Sequence, residues 1–136
     1  MHYFLAKTEP SVYSIDQLAS DGKTVWDGIK NPQALRAVRA MHPKDRVFIY
    51  HSGGESSLVG LAEVVSEARP DPKDEKSFVV DLKYLKHLSR PVTLREVKES
   101  GLFADFALVK QSRLSTMEVP KSFVDWLREL LPDDSL

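Results

Sequence analysis

The chain has no cysteine. That excludes disulfides, thiolate zinc sites and a cysteine nucleophile, and it suits a reducing compartment. It also lacks an excess of charge of either sign: 19 basic side chains stand against 20 acidic ones, for a formal net charge of −1. A protein that coats long stretches of phosphate backbone needs many cations, because such binding scales with the number of phosphates neutralised. A small basic patch beside a pocket remains compatible with this balance, so any nucleic-acid reading must rest on a site. No apolar run approaches the roughly 20 residues needed to cross a bilayer. Met1 to Lys7 is too short and too soon interrupted by charge for a signal peptide, so the expectation is a soluble, intracellular protein with no membrane partner. Internal repeats, low-complexity segments and Gly/Ser-rich linkers are absent. Gly53-Gly54 lacks the spacing and the following Lys of a phosphate-binding loop. His2, His42 and His87 show no ligand spacing, so no metal site is expected.

What is present is an ordinary globular balance, with 42% hydrophobic and 29% charged residues in 136. That length suits one domain over residues 1–136, since a second core would leave each half marginal. His2 to Ala6 is apolar and aromatic-rich, and reads as a strand. Ser14 and Gln17 have capping-box spacing for a short helix that ends at Asp21-Gly22. Asn31-Pro32 is an N-cap followed by proline at the first helical position, so a second helix starts there, and His42-Pro43 ends it. Strands are expected over Arg46–His51, Leu58–Val65 and Phe78–Leu85, with Gly60 marking a bulge or a close approach. The polar, proline-broken stretch Arg69–Lys76 reads as a solvated loop at a hairpin tip. Thr93 and Glu96 cap a further short helix that Gly101 closes. Ser112–Val119 alternates weakly as a last strand, and Lys121–Leu131 reads as a helix with Phe123, Trp126, Leu127, Leu130 and Leu131 toward the core. Strands in succession with few crossover helices predict an α+β fold, a mostly antiparallel sheet curled toward a barrel and flanked by helices.

Polar and aromatic residues concentrate in four short segments at element ends: Lys7-Thr8-Glu9-Pro10, Trp26 to Ala34, Tyr50-His51-Ser52-Gly53, and Gln111-Ser112-Arg113-Leu114-Ser115. Aromatic faces, amides, hydroxyls and a guanidinium suit a planar heterocycle, stacked on its faces and hydrogen-bonded at its rim. Each residue also has a plainer role. Trp26 can pack in the core, Asn31 can serve as a helix cap, and Arg113 can pair with Asp27 or Glu9. Glu9 is better placed to cap or to pair with Lys7 than to act as an acid. His51-Ser52 resembles a base and nucleophile, but neighbours on a strand point to opposite faces and cannot bond each other. A non-catalytic site is therefore expected. The alternatives are an enzyme acting on a nucleotide or small heterocycle, and a protein-interaction module.

In order along the chain, these four segments resemble the EVE domain family, a branch of the PUA-like superfamily. Gly60-Leu61-Ala62-Glu63-Val64, Pro70-Asp71-Pro72 and Arg90-Pro91-Val92-Thr93-Leu94 add secondary matches, so the resemblance covers nearly the whole chain. It implies a PUA-like β pseudo-barrel flanked by helices. It also implies binding of nucleic acid, DNA or RNA, carrying a modified base such as 5-methylcytosine or an oxidised form, with no cofactor. Carried over residue by residue, the base-binding pocket is Trp26, Asn31, Tyr50, His51, Ser52, Arg113, Leu114 and Ser115, with Lys7 and Lys30 at the phosphate-facing rim. Lys30 departs from the family pattern, where Arg or a small apolar residue is common. Nuclear members often carry a basic N-terminal extension. This chain starts almost at its first strand, so a bacterial cytoplasm is the expected setting, or the nucleus in a eukaryote; a monomer is expected.

Overall fold

The computed structural model describes all residues, Met1–Leu136. The strands are β1 (Tyr3–Thr8), β2 (Lys23–Trp26), β3 (Arg46–His51), β4 (Ser57–Val64), β5 (Arg69–Asp71), β6 (Asp74–Thr93) and β7 (Thr116–Val119). The helices are α1 (Ile15–Asp21), α2 (Pro32–Arg39), α3 (Leu94–Glu99), α4 (Ala107–Lys110) and α5 (Lys121–Leu130), followed by a 3-10 turn at Pro132–Asp134. One mixed sheet runs β2-β6-β4-β3-β1-β7, with β5 paired to β6 off this path. The sheet does not close, so β2 and β7 are its two edges. The expected mostly antiparallel arrangement holds with one exception, since β1 and β3 pair in parallel. A parallel pair needs a long crossover, and α1, β2 and α2 supply it.

Local sequence accounts for the helix starts. Ser14 Oγ accepts from the Gln17 amide at 3.0 Å, and Thr93 Oγ1 accepts from the Glu96 amide at 3.1 Å. Asn31 Oδ1 accepts from the amides of Gln33 and Ala34 at 2.8 and 3.1 Å. Each such cap contributes about 1 kcal/mol. A single cluster of 34 buried residues forms the core, and Phe123, Val124 and Leu127 of α5 belong to it. Trp126, expected inside, is only half-buried; its ring lies against Phe103 and Phe123 at 5.4 and 5.6 Å.

Several elements differ from expectation. The Arg69–Lys76 stretch is not a plain loop, because β5 pairs with β6 across the tip. β6 runs on for 20 residues to Thr93, well past Leu85. Pro91 is tolerated there because the pairing jumps from Gly60–His87 to Leu58–Val92, leaving Pro91 outside the ladder. β7 begins only at Thr116, and α2 stops at Arg39 with Ala40 as its cap. β2 and α4 were not apparent in the sequence. β2 is four residues long with Lys23 and Val25 exposed, and α4 is a single turn.

Two contacts dock α1 on the sheet. An added Cβ at Gly60 would come within 2.6 Å of Ile15 Cγ1 and 3.1 Å of the Lys86 carbonyl oxygen. Glycine at 60 therefore lets α1 approach β4. The Ile15 amide at the start of α1 donates to His51 Nε2 at 3.1 Å. Burial pushes the His51 imidazole below its ordinary value of 6.5, with nearby Asp16 opposing and His87 adding to that shift.

Gly60→Ala should destabilise the protein by about 1–3 kcal/mol in chemical denaturation, the usual range for overpacking. The same change should cost clearly less in an Ile15→Ala background, because the clash with Ile15 is then gone and only the tight approach to the Lys86 carbonyl remains. Equal costs in both backgrounds would show that the close approach is not what matters at Gly60. The His51 linkage has a definite sign. Its folded value is depressed, so the unfolded chain binds the extra proton, and stability present above pH 6.5 is lost as pH falls below it. A His51→Gln variant should show a flatter stability profile over that acid window, and parallel profiles would refute this role.

Candidate functional site

A cleft of about 430 Å³ opens between the two edges of the sheet. Its lining draws on three separated stretches of chain: Lys7 and Thr8 with Val12 and Tyr13, Thr24 to Ile29, and Ser115-Thr116. Their convergence follows from the strand pairing. Antiparallel β2 and β6 set Trp26 beside Val80, while the β1–β7 pair sets Ala6 beside Thr116. The Lys7 amide extends that second pairing by donating to the Ser115 carbonyl at 2.8 Å. After Trp26 the backbone must turn sharply, and Gly28 does so at φ 77°. Ser77 Oγ, from β6, donates to the Ile29 carbonyl at 2.5 Å and holds this turn against the sheet.

Trp26 is 8% exposed, so it belongs to the core and to the cleft wall at once. Tyr13 meets it edge-on, with ring centroids 6.0 Å apart at 80°. Burial raises the Tyr13 phenol above its ordinary value, with Asp21 adding to the rise and Thr24 opposing it. The Lys7 ammonium donates to the Ser112 carbonyl at 3.1 Å and sits 5.5 Å from the centre of the Tyr50 ring. Burial lowers its pKa from 10.5. Neither Lys7 nor Asp27, the other charged group of the lining, takes part in any of the nine ion pairs. The expected Lys7–Glu9 pair is thus not formed. Thr8, Thr24, Ser115 and Thr116 bring hydroxyls to the same cleft.

Of the residues singled out in the sequence, Trp26, Ser115 and Lys7 meet here. The others lie outside the lining. Asn31 is exposed, with its side-chain oxygen engaged as a helix cap. Tyr50 is 2% exposed, beneath Lys7, and burial raises its phenol. His51 is taken up by the Ile15 amide, and the Ser52 amide donates to the Thr8 carbonyl at 2.9 Å. Leu114 is buried. Arg113 is exposed and forms no ion pair with Asp27 or Glu9. Lys30 lines an adjoining depression together with Asp27, Asp71, Lys73 and Asp74. Sequence reasoning passed over Val12, Tyr13, Thr24 and Val25, which carry no motif. Their one signal is position, since they flank segments already singled out.

The remaining histidines stand apart: His2 is 3.7 Å from Glu118, His42 is 2.9 Å from Glu67, and His87 is 2.6 Å from Asp16. No helix is long and apolar enough to cross a membrane.

Known proteins match this fold closely. A solution structure of a protein from Rhodopseudomonas palustris is 39% identical with a TM-score of 0.91, covering 100% of this chain and 97% of its own. Human THYN1, solved in complex with 5-methylcytosine-containing DNA, is 25% identical with a TM-score of 0.88, covering 98% and 99%. Among curated relatives, thymocyte nuclear protein 1 of Rattus norvegicus is 28% identical over 165 aligned positions, which span 95% of this chain and 73% of the relative. The EVE domain model matches residues 2–130, and the chain belongs to the EVE domain family.

Proposed function

We propose that this protein binds nucleic acid by receiving a single unstacked base, a modified cytosine, in the cleft between β2 and β7, without chemical turnover. The observation that carries this reading is the convergence of aromatic, hydroxyl and uncompensated charged groups from three sequence segments on one concavity. Its volume falls within the range of about 300–1,000 Å³ usual for small-ligand sites. The complex of human THYN1 with methylated DNA supports the choice of ligand.

The lining fits the edge of a cytosine ring. Asp27 offers an acceptor for an exocyclic amine, the pairing that carboxylates make with cytosine. Lys7 and the hydroxyls of Thr24, Ser115 and Thr116 offer donors for its ring nitrogen and carbonyl. Trp26, at 8% exposed, gives the ring part of one face rather than a free-standing platform. Ile29 supplies apolar contact for a substituent such as methyl. One buried methyl contributes about 0.8 kcal/mol, so preference for methylcytosine over cytosine should be only about fourfold. Exposed Arg113 and Lys30 are the cations available to flanking phosphates. An enzyme reading calls for His51 or Glu9 as acid or base in this cleft, and neither lines it.

Titration with a fluorescent single strand carrying one 5-methylcytosine tests the reading. Lys7→Ala and Trp26→Leu, the latter keeping apolar bulk, should each weaken binding by about tenfold, the scale of one stacking contact. Affinities matching wild type in both variants would remove the cleft from the reading. Binding should also weaken with rising pH before 10.5, because burial has lowered the point at which Lys7 loses its proton. An oligonucleotide without guanine or thymine keeps its bases out of the titration, and Lys7→Arg should carry binding to higher pH. An unchanged pH profile in Lys7→Arg would count against Lys7 as the ligand's cationic partner.

A further inference from the structure

The molecule has five exposed large hydrophobic side chains, and two of them, Val12 and Val25, lie on the cleft. Val12 is the most exposed of all, at 77%, in a turn that it shares with exposed Pro10 and Ser11. The turn is well tied down. The amides of Val12 and Tyr13 both donate to the Glu9 carbonyl at 2.9 Å, and Thr8 Oγ1 donates to the Tyr13 carbonyl at 2.8 Å. Tyr13 itself is held by its hydroxyl on Asp21 Oδ2 at 2.8 Å and by its edge contact with Trp26. A rigid turn therefore keeps an aliphatic, β-branched side chain in water at the mouth of a cleft of mixed polar and apolar lining.

At 77% exposed, Val12 protrudes too far to serve as a wall that a seated base would cover. Its position suits the space outside the cleft. We infer that Val12 is an insertion wedge: it enters a duplex at the step vacated by the base and takes up the stacking gap there. This rests on the base-receiving reading of the cleft and extends it from an unpaired strand to double-stranded nucleic acid. Opening a duplex leaves two neighbouring base pairs with bare faces, and apolar side chains are the groups that proteins place between base steps. Pre-ordering matters, because a side chain already fixed in place loses little freedom on insertion. Val25, 47% exposed on edge strand β2, lies on the same cleft and can cover the sugar of the extruded nucleotide.

The test compares one sequence in two forms, a duplex with a single central 5-methylcytosine and the same strand alone, titrated against wild type, Val12→Ser and Val12→Leu. Val12→Ser should lose about tenfold in affinity for the duplex, where an unstacking cost must be met, and stay within about twofold of wild type on the single strand. Val12→Leu should keep duplex binding. Equal behaviour of Val12→Ser and wild type on the duplex overturns the inference. So does an equal loss on both forms, which would make Val12 a direct base contact. Wild type that binds the strand but not the duplex refutes the wedge and leaves the cleft reading intact. Binding to neither form defeats the base-receiving reading, and the wedge with it.

Discussion

The site depends on a sheet that curls without closing. β2 and β7 terminate the strand order, and no ladder joins them. Yet the end of one and the start of the other line the same cleft. An unpaired edge is normally a liability, since it presents free backbone groups to other chains. Here each edge is short, four residues, and α2, which follows β2 after the Asp27–Asn31 turn, packs against β7. The concavity is thus a consequence of topology. β6 is the element that makes it possible, pairing with β2 through Lys83–Val80 and with β4 through residues as far as Thr93.

The parallel β1–β3 pair sets the floor. Its last registers put Lys7 against Tyr50 and Thr8 against His51. This arrangement separates two kinds of polar residue that look alike in the sequence. Lys7 and Thr8 contribute to the cleft lining, whereas Tyr50 and His51 support it from beneath or from the side. His51 fastens α1, and α1 in turn follows the turn that presents Val12 and Tyr13. The family-like segment Tyr50-His51-Ser52 therefore acts on the cleft through its neighbours. Its side chains hold the walls in place, and the walls carry the contacts.

How legible this was in the sequence follows from how local each cause is. The caps at Ser14, Asn31 and Thr93 depend on three or four adjacent residues, and each forms as the spacing implies. Gly60 could be recognised as a point of close approach, although Ile15 as the neighbour could not. β2 escaped notice because an edge strand with Lys23 and Val25 in solvent has neither an apolar run nor a clear alternation. Missing β2 hides part of one wall of the cleft, since Thr24 and Val25 enter it only through pairing with β6. Lys7, Trp26 and Ser115 were found because they sit within recognisable segments. Arg113, Leu114 and Asn31 sit in the same segments and outside the lining, so proximity in sequence to a cleft residue carries limited weight.

Charge then decides what sort of recognition this cleft can support. The chain is nearly neutral overall, and the cleft repeats that balance with one ammonium and one carboxylate, both without an ion-pair partner. The depression beside it sets Lys30 and Lys73 against Asp27, Asp71 and Asp74. Such a surface attracts phosphate weakly, because non-specific affinity comes from the count of neutralised phosphates. It is better matched to a neutral ligand with a donor and an acceptor side by side, which is the character of a base edge. A half-buried lysine is costly while it lacks an anionic partner, and burial lowers its pKa accordingly. A ligand that accepts from it relieves that cost, and one that also donates to Asp27 satisfies both groups together. The affinity of this site must therefore come from fitting one ring closely, with little help from the backbone that carries it.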